Sequence, residues 1–279
     1  MVPAFPSLLD DCQKKKSTFG AMILTAAIFL ATALLGGFLF NSMGKRGIHD
    51  MSLFMAFGGA FILGMSFLHL LPEAFASTSH AGLFVLLGFV LQIFLEFLSN
   101  GIEHGHHHPH QHTATCKERP ILKRIPWLAF FSLALHAILE SMPVIAHDHS
   151  PHAHAHVVLA IDMIDWGLVS GLVLHKVPVA MVLMAMMIGE HVPKPWAWGL
   201  LVLFGLCPSL GMMLFDLMLH HVDTANATAF VGAMQGCVVG ILMHIGTVVL
   251  FEAGEGHHFH LGKLMAVLVG LGLSVAAFL

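Results

Sequence analysis

Eight apolar stretches, each long enough to cross a lipid bilayer, constrain this chain more than any other feature. A hydrocarbon core of about 30 Å needs about 20 apolar residues in helical conformation. The stretches are continuous rather than alternating, and an open sheet cannot satisfy its backbone in lipid. We therefore predict an all-α, polytopic membrane protein with eight transmembrane helices, forming one domain over residues 1–279. The predicted helices cover residues 18–40, 51–76, 81–98, 126–146, 164–189, 195–219, 225–251 and 261–279.

Composition supports the same class, since 57% of the residues are hydrophobic and only 10% are charged. These values exclude a water-soluble domain, and the lipid bilayer is the expected environment. The net charge of −4 gives no reason to expect a nucleic-acid partner. The first apolar run is too long for a secretory signal. The four cysteines have no paired spacing, which argues against a disulfide framework or a thiolate zinc site; they are Cys12, Cys116, Cys207 and Cys237.

The placement of Lys and Arg predicts the orientation. If the amino terminus lies outside, most of these residues fall in cytoplasmic loops, as the positive-inside rule requires. We expect both termini outside a cell membrane (inner or plasma), although the basic triplet before the first helix opposes this. The residues placed inside are Lys45, Arg46, Lys117, Arg119, Lys123, Arg124, Lys194 and Lys263, and those placed outside are Lys14, Lys15 and Lys16.

Two pairs of ionisable residues lie in the middle of apolar stretches: His136 with Glu140, and His175 with Lys176. An ionisable group at that depth costs about 2.5 to 3.5 kcal/mol and usually marks an ion or substrate path. His136 and Glu140 are four residues apart, so they share one helix face and can bind one cation. Imidazole nitrogen and carboxylate oxygen suit a zinc-like ion. We predict a metal site of His136, Glu140 and His175, with Lys176 on the transport pathway.

Further ionisable residues lie within the predicted helices. His69 and Glu73 repeat the four-residue spacing near the outer end of the second helix, where they can receive an ion from outside. Asp216, near the outer end of the sixth helix, fits a pathway acid and an interfacial polar residue equally well. His244 and Glu96 fit core residues bonded to backbone carbonyls at least as well as a transport role.

Two prolines follow the proposed ligands: Pro143 three residues after Glu140, and Pro178 three residues after His175. Each removes a backbone donor, so we expect it to disturb the helix beside the site. Transporters place coordinating groups at such interruptions near the midplane. The alternative is that membrane helices tolerate prolines in any case.

Small residues form two stripes that predict close helix packing in lipid. One is formed by Gly232, Gly236 and Gly240 in the seventh helix, and the other by Gly167 and Gly171 in the fifth.

Histidine accounts for 23 residues, and many of them cluster in three loops. Such tracts bind zinc or copper weakly and in many geometries, so we interpret them as metal-collecting loops. The alternative is a polar low-complexity loop that happens to use histidine. The cytoplasmic loop (100–125) carries His104, His106, His107, His108, His110 and His112; the extracytoplasmic loop (147–160) carries His147, His149, His152, His154 and His156; the last carries His257, His258 and His260.

In several motifs the chain resembles the ZIP (zinc/iron-regulated transporter-like) family of divalent metal transporters. The motifs are GAFILGMSFLHLLPEAF at 59–75, HAILES at 136–141, HKVP at 175–178, the glycine-spaced seventh helix around Gln235 and Gly236, and the His-rich loop between the third and fourth helices. The branch with HK in the fifth helix is the nearest. The resemblance implies eight helices in a three, two, three arrangement with inverted repeats, and divalent metal movement into the cytoplasm.

The resemblance also implies site residues: His136 and Glu140 match ligands of the fourth helix, and His175 matches the first ligand of the fifth. Many members bind a second metal through positions that are here Ala137, Lys176 and Val179. We therefore expect a single metal. A fourth ligand must come from water, His69, a methionine or a backbone carbonyl.

The predicted function is zinc uptake by a transporter that is not an enzyme, with Zn²⁺ as cargo, no catalytic cofactor and a homodimer left open. Three alternatives remain from the sequence. Intramembrane histidines also suit haem in an electron-transfer protein, and a metal exporter has the same chemistry in the opposite direction. A membrane hydrolase is the third, but the HExxH motif is absent.

Overall fold

The computed structural model describes residues 8–43, 47–99, 121–145, 160–252 and 261–279. Within these ranges eight helices are long and apolar enough to cross a membrane, and there is no β-strand. The all-α, multi-pass fold predicted from hydropathy is therefore confirmed.

We number the eight helices in chain order. They are α1 (Leu8–Met43), α2 (Gly47–Met65, continued by a π-helical turn, Ser66–Leu70, and a final helical segment, Leu71–Ser77), α3 (Ala81–Ser99), α4 (Trp127–Glu140), α5 (Trp166–Gly189), α6 (Lys194–His220), α7 (Thr224–Glu252) and α8 (Leu261–Phe278). Short turns also occur, namely Ile121–Arg124 before α4, and the 3-10 turns Met142–Val144 and Ala160–Met163 between α4 and α5.

The two prolines beside the proposed ligands behave differently. α4 ends at Glu140, and Pro143 lies in the 3-10 turn that follows, because proline has no N–H to continue the helix. α5 runs unbroken through Pro178, so the expected disturbance there is wrong. Proline removes one intrahelical bond, and the packing of α5 against α1 and α2 is enough to keep the helix continuous.

Helix contacts divide the bundle into two groups. α1 packs on α5 and α6, and α4 packs on α6; in the other group α2 packs on α7 and α8, and α3 packs on α7. Contacts of α2 with α5 and of α3 with α4 join the groups. These contacts do not establish the three, two, three arrangement with inverted repeats, which stays a prediction.

Both predicted glycine stripes lie at close helix contacts. A Cβ on Gly240 would meet the backbone of α3 at Val85, and one on Gly236 would meet Phe84. Gly167 and Gly171 of α5 face side chains of α2: a Cβ on Gly167 would meet the His69 ring, and one on Gly171 would meet Met65. The stripes allow helix backbones to approach where an alanine would hold them apart.

Burial is greatest in α5 and least in α8, with 72% and 11% of the respective spans buried. Because α5 lies at the centre of the bundle, its polar residues are removed from lipid. This places His175 and Lys176 in the protein interior, where they are 8% and 1% exposed.

Candidate metal centre

The predicted ligands of α4 meet as their spacing requires. Nε2 of His136 lies 2.9 Å from Oε2 of Glu140, and both side chains are almost completely buried. Glu140 is the last residue of α4, so the carboxylate lies where the regular helix stops. The pair therefore presents one nitrogen and one oxygen to the centre of the bundle.

α5 brings the third ligand to the same point. The His175 ring lies at 85° to the His136 ring, with 6.0 Å between their centroids. One ligand atom from each of His136, Glu140 and His175 lies within 4.8 Å of the others. The structure thus brings together all three residues that the sequence predicted as metal ligands.

Lys176 occupies the other side of Glu140. Its Nζ donates a hydrogen bond of 2.7 Å to Oε1 of that carboxylate. The ammonium also lies over the rings of Phe204 and Phe29, at 5.0 and 5.6 Å from their centroids, which stabilises the charge by cation–π attraction. The site therefore contains a cation of its own, bound to the oxygen that does not face His136.

Gln92 of α3 orients the His136 ring. Its Oε1 lies 3.2 Å from Nδ1 of His136, and Gln92 is fully buried. With the amide oxygen facing the ring, Nδ1 donates and Nε2 carries the lone pair. Nε2 and the Glu140 oxygen are then two electron-rich atoms 2.9 Å apart, an arrangement that favours a cation between them. Metal-ligating histidines are commonly held in this way through their second nitrogen.

Gln92 was not among the residues predicted from the sequence. The available signal was a lone amide in the mostly apolar third helix, but nothing in the sequence placed that helix beside α4. The contact between α3 and α4 also includes Ser132, whose hydroxyl donates to the Leu95 carbonyl at 2.8 Å.

A second cluster lies where α2 approaches the start of α5. Nδ1 of His69 is 3.5 Å from Oε1 of Glu73, which confirms that the two predicted residues are neighbours. Nε2 of His69 is 3.1 Å from Oδ1 of Asp165, a residue that the sequence analysis did not select. Asp165 precedes α5 by one residue, so its position before an apolar run was the signal for a helix cap.

His69 was also one of the candidates for a fourth ligand at the central site, and this is wrong. Asp165, its partner, precedes His175 by ten residues along α5, which is a separation of about 15 Å at 1.5 Å per helical residue. His69 belongs to the cluster at the start of α5.

The remaining predicted residues join neither cluster. Asp216 lies on α6 beside His220, whose Nδ1 contacts the Asp216 carbonyl oxygen at 2.7 Å. His244 of α7 bonds to Glu96 of α3, so these two residues pair with each other across helices. The His-rich clusters lie outside the described residues; they are His104, His106, His107, His108, His110 and His112, then His147, His149, His152, His154 and His156, then His257, His258 and His260.

The sequence matches no model of a known protein family and no curated protein sequence. The resemblance to ZIP proteins therefore rests on the motifs themselves.

Proposed function

We propose that this protein transports a divalent transition-metal ion across a membrane, with zinc the metal that its ligands suit best. The observation that carries the proposal is the buried cluster of His136, Glu140 and His175, whose ligand atoms lie within 4.8 Å of one another inside a bundle of membrane-length helices. In that setting the protein acts as a transporter of the ZIP type and not as an enzyme.

The ligand set supports zinc. Two imidazole nitrogens and one carboxylate oxygen are typical of zinc sites that leave a fourth position open. An open position suits a transported ion, because one water molecule can remain bound and be exchanged as the ion enters and leaves. A closed cage of four protein ligands would hold the ion too tightly for transit.

Lys176 supports a single, weakly held ion. Its ammonium already neutralises Glu140, so an arriving dication must compete with a positive charge 2.7 Å from the carboxylate. A second dication on Oε1 would need the place that this ammonium occupies. The site therefore binds one metal and releases it readily.

The direction we propose is uptake into the cytoplasm, as the resemblance implies; the distribution of Lys and Arg supports only the orientation of the chain in the membrane. A metal exporter would use the same ligands in reverse, and flux into vesicles of known orientation separates the two. A haem protein is disfavoured because Glu140 lies 2.9 Å from His136 Nε2, where an axially bound haem iron would have to lie.

The test is zinc flux into proteoliposomes that contain the purified protein and an entrapped zinc indicator. Replacing His136 or His175 by glutamine removes a ligand and leaves the Lys176–Glu140 ion pair intact. We expect both variants to fold and to lose transport. The double variant Glu140→Gln with Lys176→Met removes the ion pair as a unit, and we expect it to be inactive as well.

The matched control is His220→Ala. This histidine is likewise four residues from an acid on a membrane helix, Asp216, but its side chain is 68% exposed and it joins neither cluster. We expect its zinc flux to equal that of the wild type. Full zinc flux in the His136→Gln and His175→Gln variants would refute the assignment of the site.

A further inference from the structure

The cluster of His69, Glu73 and Asp165 is chemically different from the central site. It combines one imidazole with two carboxylates, and one ligand atom from each residue lies within 4.8 Å of the others. With a neutral imidazole its formal charge is −2, and the described structure shows no lysine or arginine bound to it. A dication would neutralise the cluster, whereas at the central site Lys176 already balances Glu140.

Each side chain of the cluster is held in place by a different helix. The His69 ring stacks on Phe278 of α8 at 5.2 Å between centroids and 12° between planes. Gln235 of α7 donates to Oε2 of Glu73 at 3.3 Å, which leaves the other oxygen toward His69. Ligands fixed in this way lose little freedom when an ion binds.

The backbone also departs from regular geometry at this point. His69 lies in the π-helical turn Ser66–Leu70. Pro72, three residues after His69, has no N–H to donate to the Leu68 carbonyl. Single π-turns inside α-helices often occur at functional sites. On the facing helix, Gly167 leaves room for the imidazole, because a Cβ there would lie 2.8 Å from His69 Nε2.

Asp165 links this cluster to the helix that carries His175. Its Oδ1 lies 3.1 Å from His69 Nε2 and also accepts the backbone N–H of Leu168 at 2.9 Å, capping the first turn of α5. Its own N–H donates to the Val144 carbonyl beyond the end of α4. One residue thus contacts α2, α5 and the segment after α4.

We propose that His69, Glu73 and Asp165 form a second binding site for a divalent transition-metal ion, separate from the central site and about 15 Å from it along α5. An ion reaches the cluster through Glu73, which is 43% exposed. Because Asp165 is both a ligand and the cap of α5, an ion bound there acts on the end of the helix that holds His175. This inference is independent of whether the protein transports metal.

The test measures zinc bound per chain at equilibrium, using radioactive zinc and dialysis of the purified full-length protein. The histidines of the three loop clusters are replaced by asparagine in the parent protein, because they bind zinc themselves. Asp165→Asn removes the charged ligand but keeps the cap, since asparagine caps helices as well as aspartate does. His69→Gln is a second variant of the same site.

We expect Asp165→Asn and His69→Gln each to lose one bound zinc ion per chain relative to the parent. The double variant His136→Gln with His175→Gln should lose one ion independently, and combining it with Asp165→Asn should lose both. An Asp165→Asn protein that binds as much zinc as the parent would overturn the second site. Loss of both ions from Asp165→Asn alone would overturn it too, because the clusters would then not be separate.

Failure of the proposed central site would give a different pattern of zinc binding from failure of the second site. If the His136 and His175 double variant binds as much zinc as the parent while Asp165→Asn loses one ion, the central site is wrong and the second site stands.

Discussion

The ammonium of Lys176 lies 2.7 Å from Oε1 of Glu140, and each side chain is only 1% exposed. Removing one member of such a buried pair leaves the other charge without compensation, which costs about 3–5 kcal/mol. The central site is therefore built on an ion pair that contributes to folding and also contains one of the proposed metal ligands.

Lys176→Met should convert the site from a weak to a tight one. Without the ammonium, Glu140 lacks its counter-ion, so the zinc-free protein should unfold at a lower temperature than the wild type. Zinc can replace the missing charge, and we expect binding at least about tenfold tighter, or about 1.4 kcal/mol, with slower turnover. Thermal unfolding with and without zinc, together with flux, measures both effects. Lys194→Met, at an exposed lysine that begins α6, is the control, and an equal zinc response in the two variants would contradict the prediction.

Gln92→Leu should weaken metal binding while the fold is retained. The leucine cannot hold Nδ1 of His136, so the ring is free to rotate and we expect a loss of about 10–100-fold in zinc affinity. Ser132→Ala is the matched control, because it removes a buried hydrogen bond from α4 to the Leu95 carbonyl of α3 and keeps the Gln92 side chain that faces His136. Zinc titration compares the two. Similar affinity losses in both variants would indicate general loosening of the helix contact and not orientation of a ligand.

Competition between metals should follow the chemistry of the ligands. Cadmium and cobalt accept nitrogen and oxygen ligands, so we expect either to reduce zinc flux at equal concentration. Magnesium and calcium prefer oxygen alone, and an excess of about tenfold should have little effect. The measurement is initial zinc flux into proteoliposomes with each competing ion present. Inhibition by calcium as strong as that by cadmium would be inconsistent with the two imidazole ligands.

Gly240→Ala should destabilise the contact between α3 and α7. The added Cβ would meet backbone atoms of Val85 and Phe89, which cannot move aside as a flexible side chain can. We expect a loss of about 1–3 kcal/mol from overpacking. Gly272→Ala is the control, since a Cβ there meets nothing within 4 Å and alanine favours helix by about 0.5–1 kcal/mol. Thermal unfolding in detergent should therefore shift in opposite directions, and a Gly240→Ala protein as stable as the wild type would contradict this.

Hydropathy was sufficient to locate the eight helices, because a bilayer requires the same length of apolar chain from each of them. The ends were less predictable. α1 begins at Leu8, before its apolar window, and α4 stops at Glu140 because of Pro143. Pro178, like Pro143, follows a predicted ligand by three residues, but α5 continues through it. Packing of α5 against neighbouring helices compensates for the one hydrogen bond that the proline removes.

Pairs within one helix were predictable from spacing alone, as His136 with Glu140 and His69 with Glu73 demonstrate. Partners on different helices were not, because hydropathy does not say which helices are neighbours. Gln92 and Asp165 were missed for this reason. Lys176 was predicted to occupy a position where many ZIP proteins bind a second metal, but the sequence did not reveal that its partner is Glu140.

A short backbone bridge joins the end of α4 to the start of α5, with Ile145 paired to Ile164 and Asp165 bonded to the Val144 carbonyl. The bridge fixes both ends of the His-rich segment between these helices. The register of α4 against α5 is consequently set by the bridge itself, so a change in the length of that segment would leave His136, Glu140 and His175 aligned.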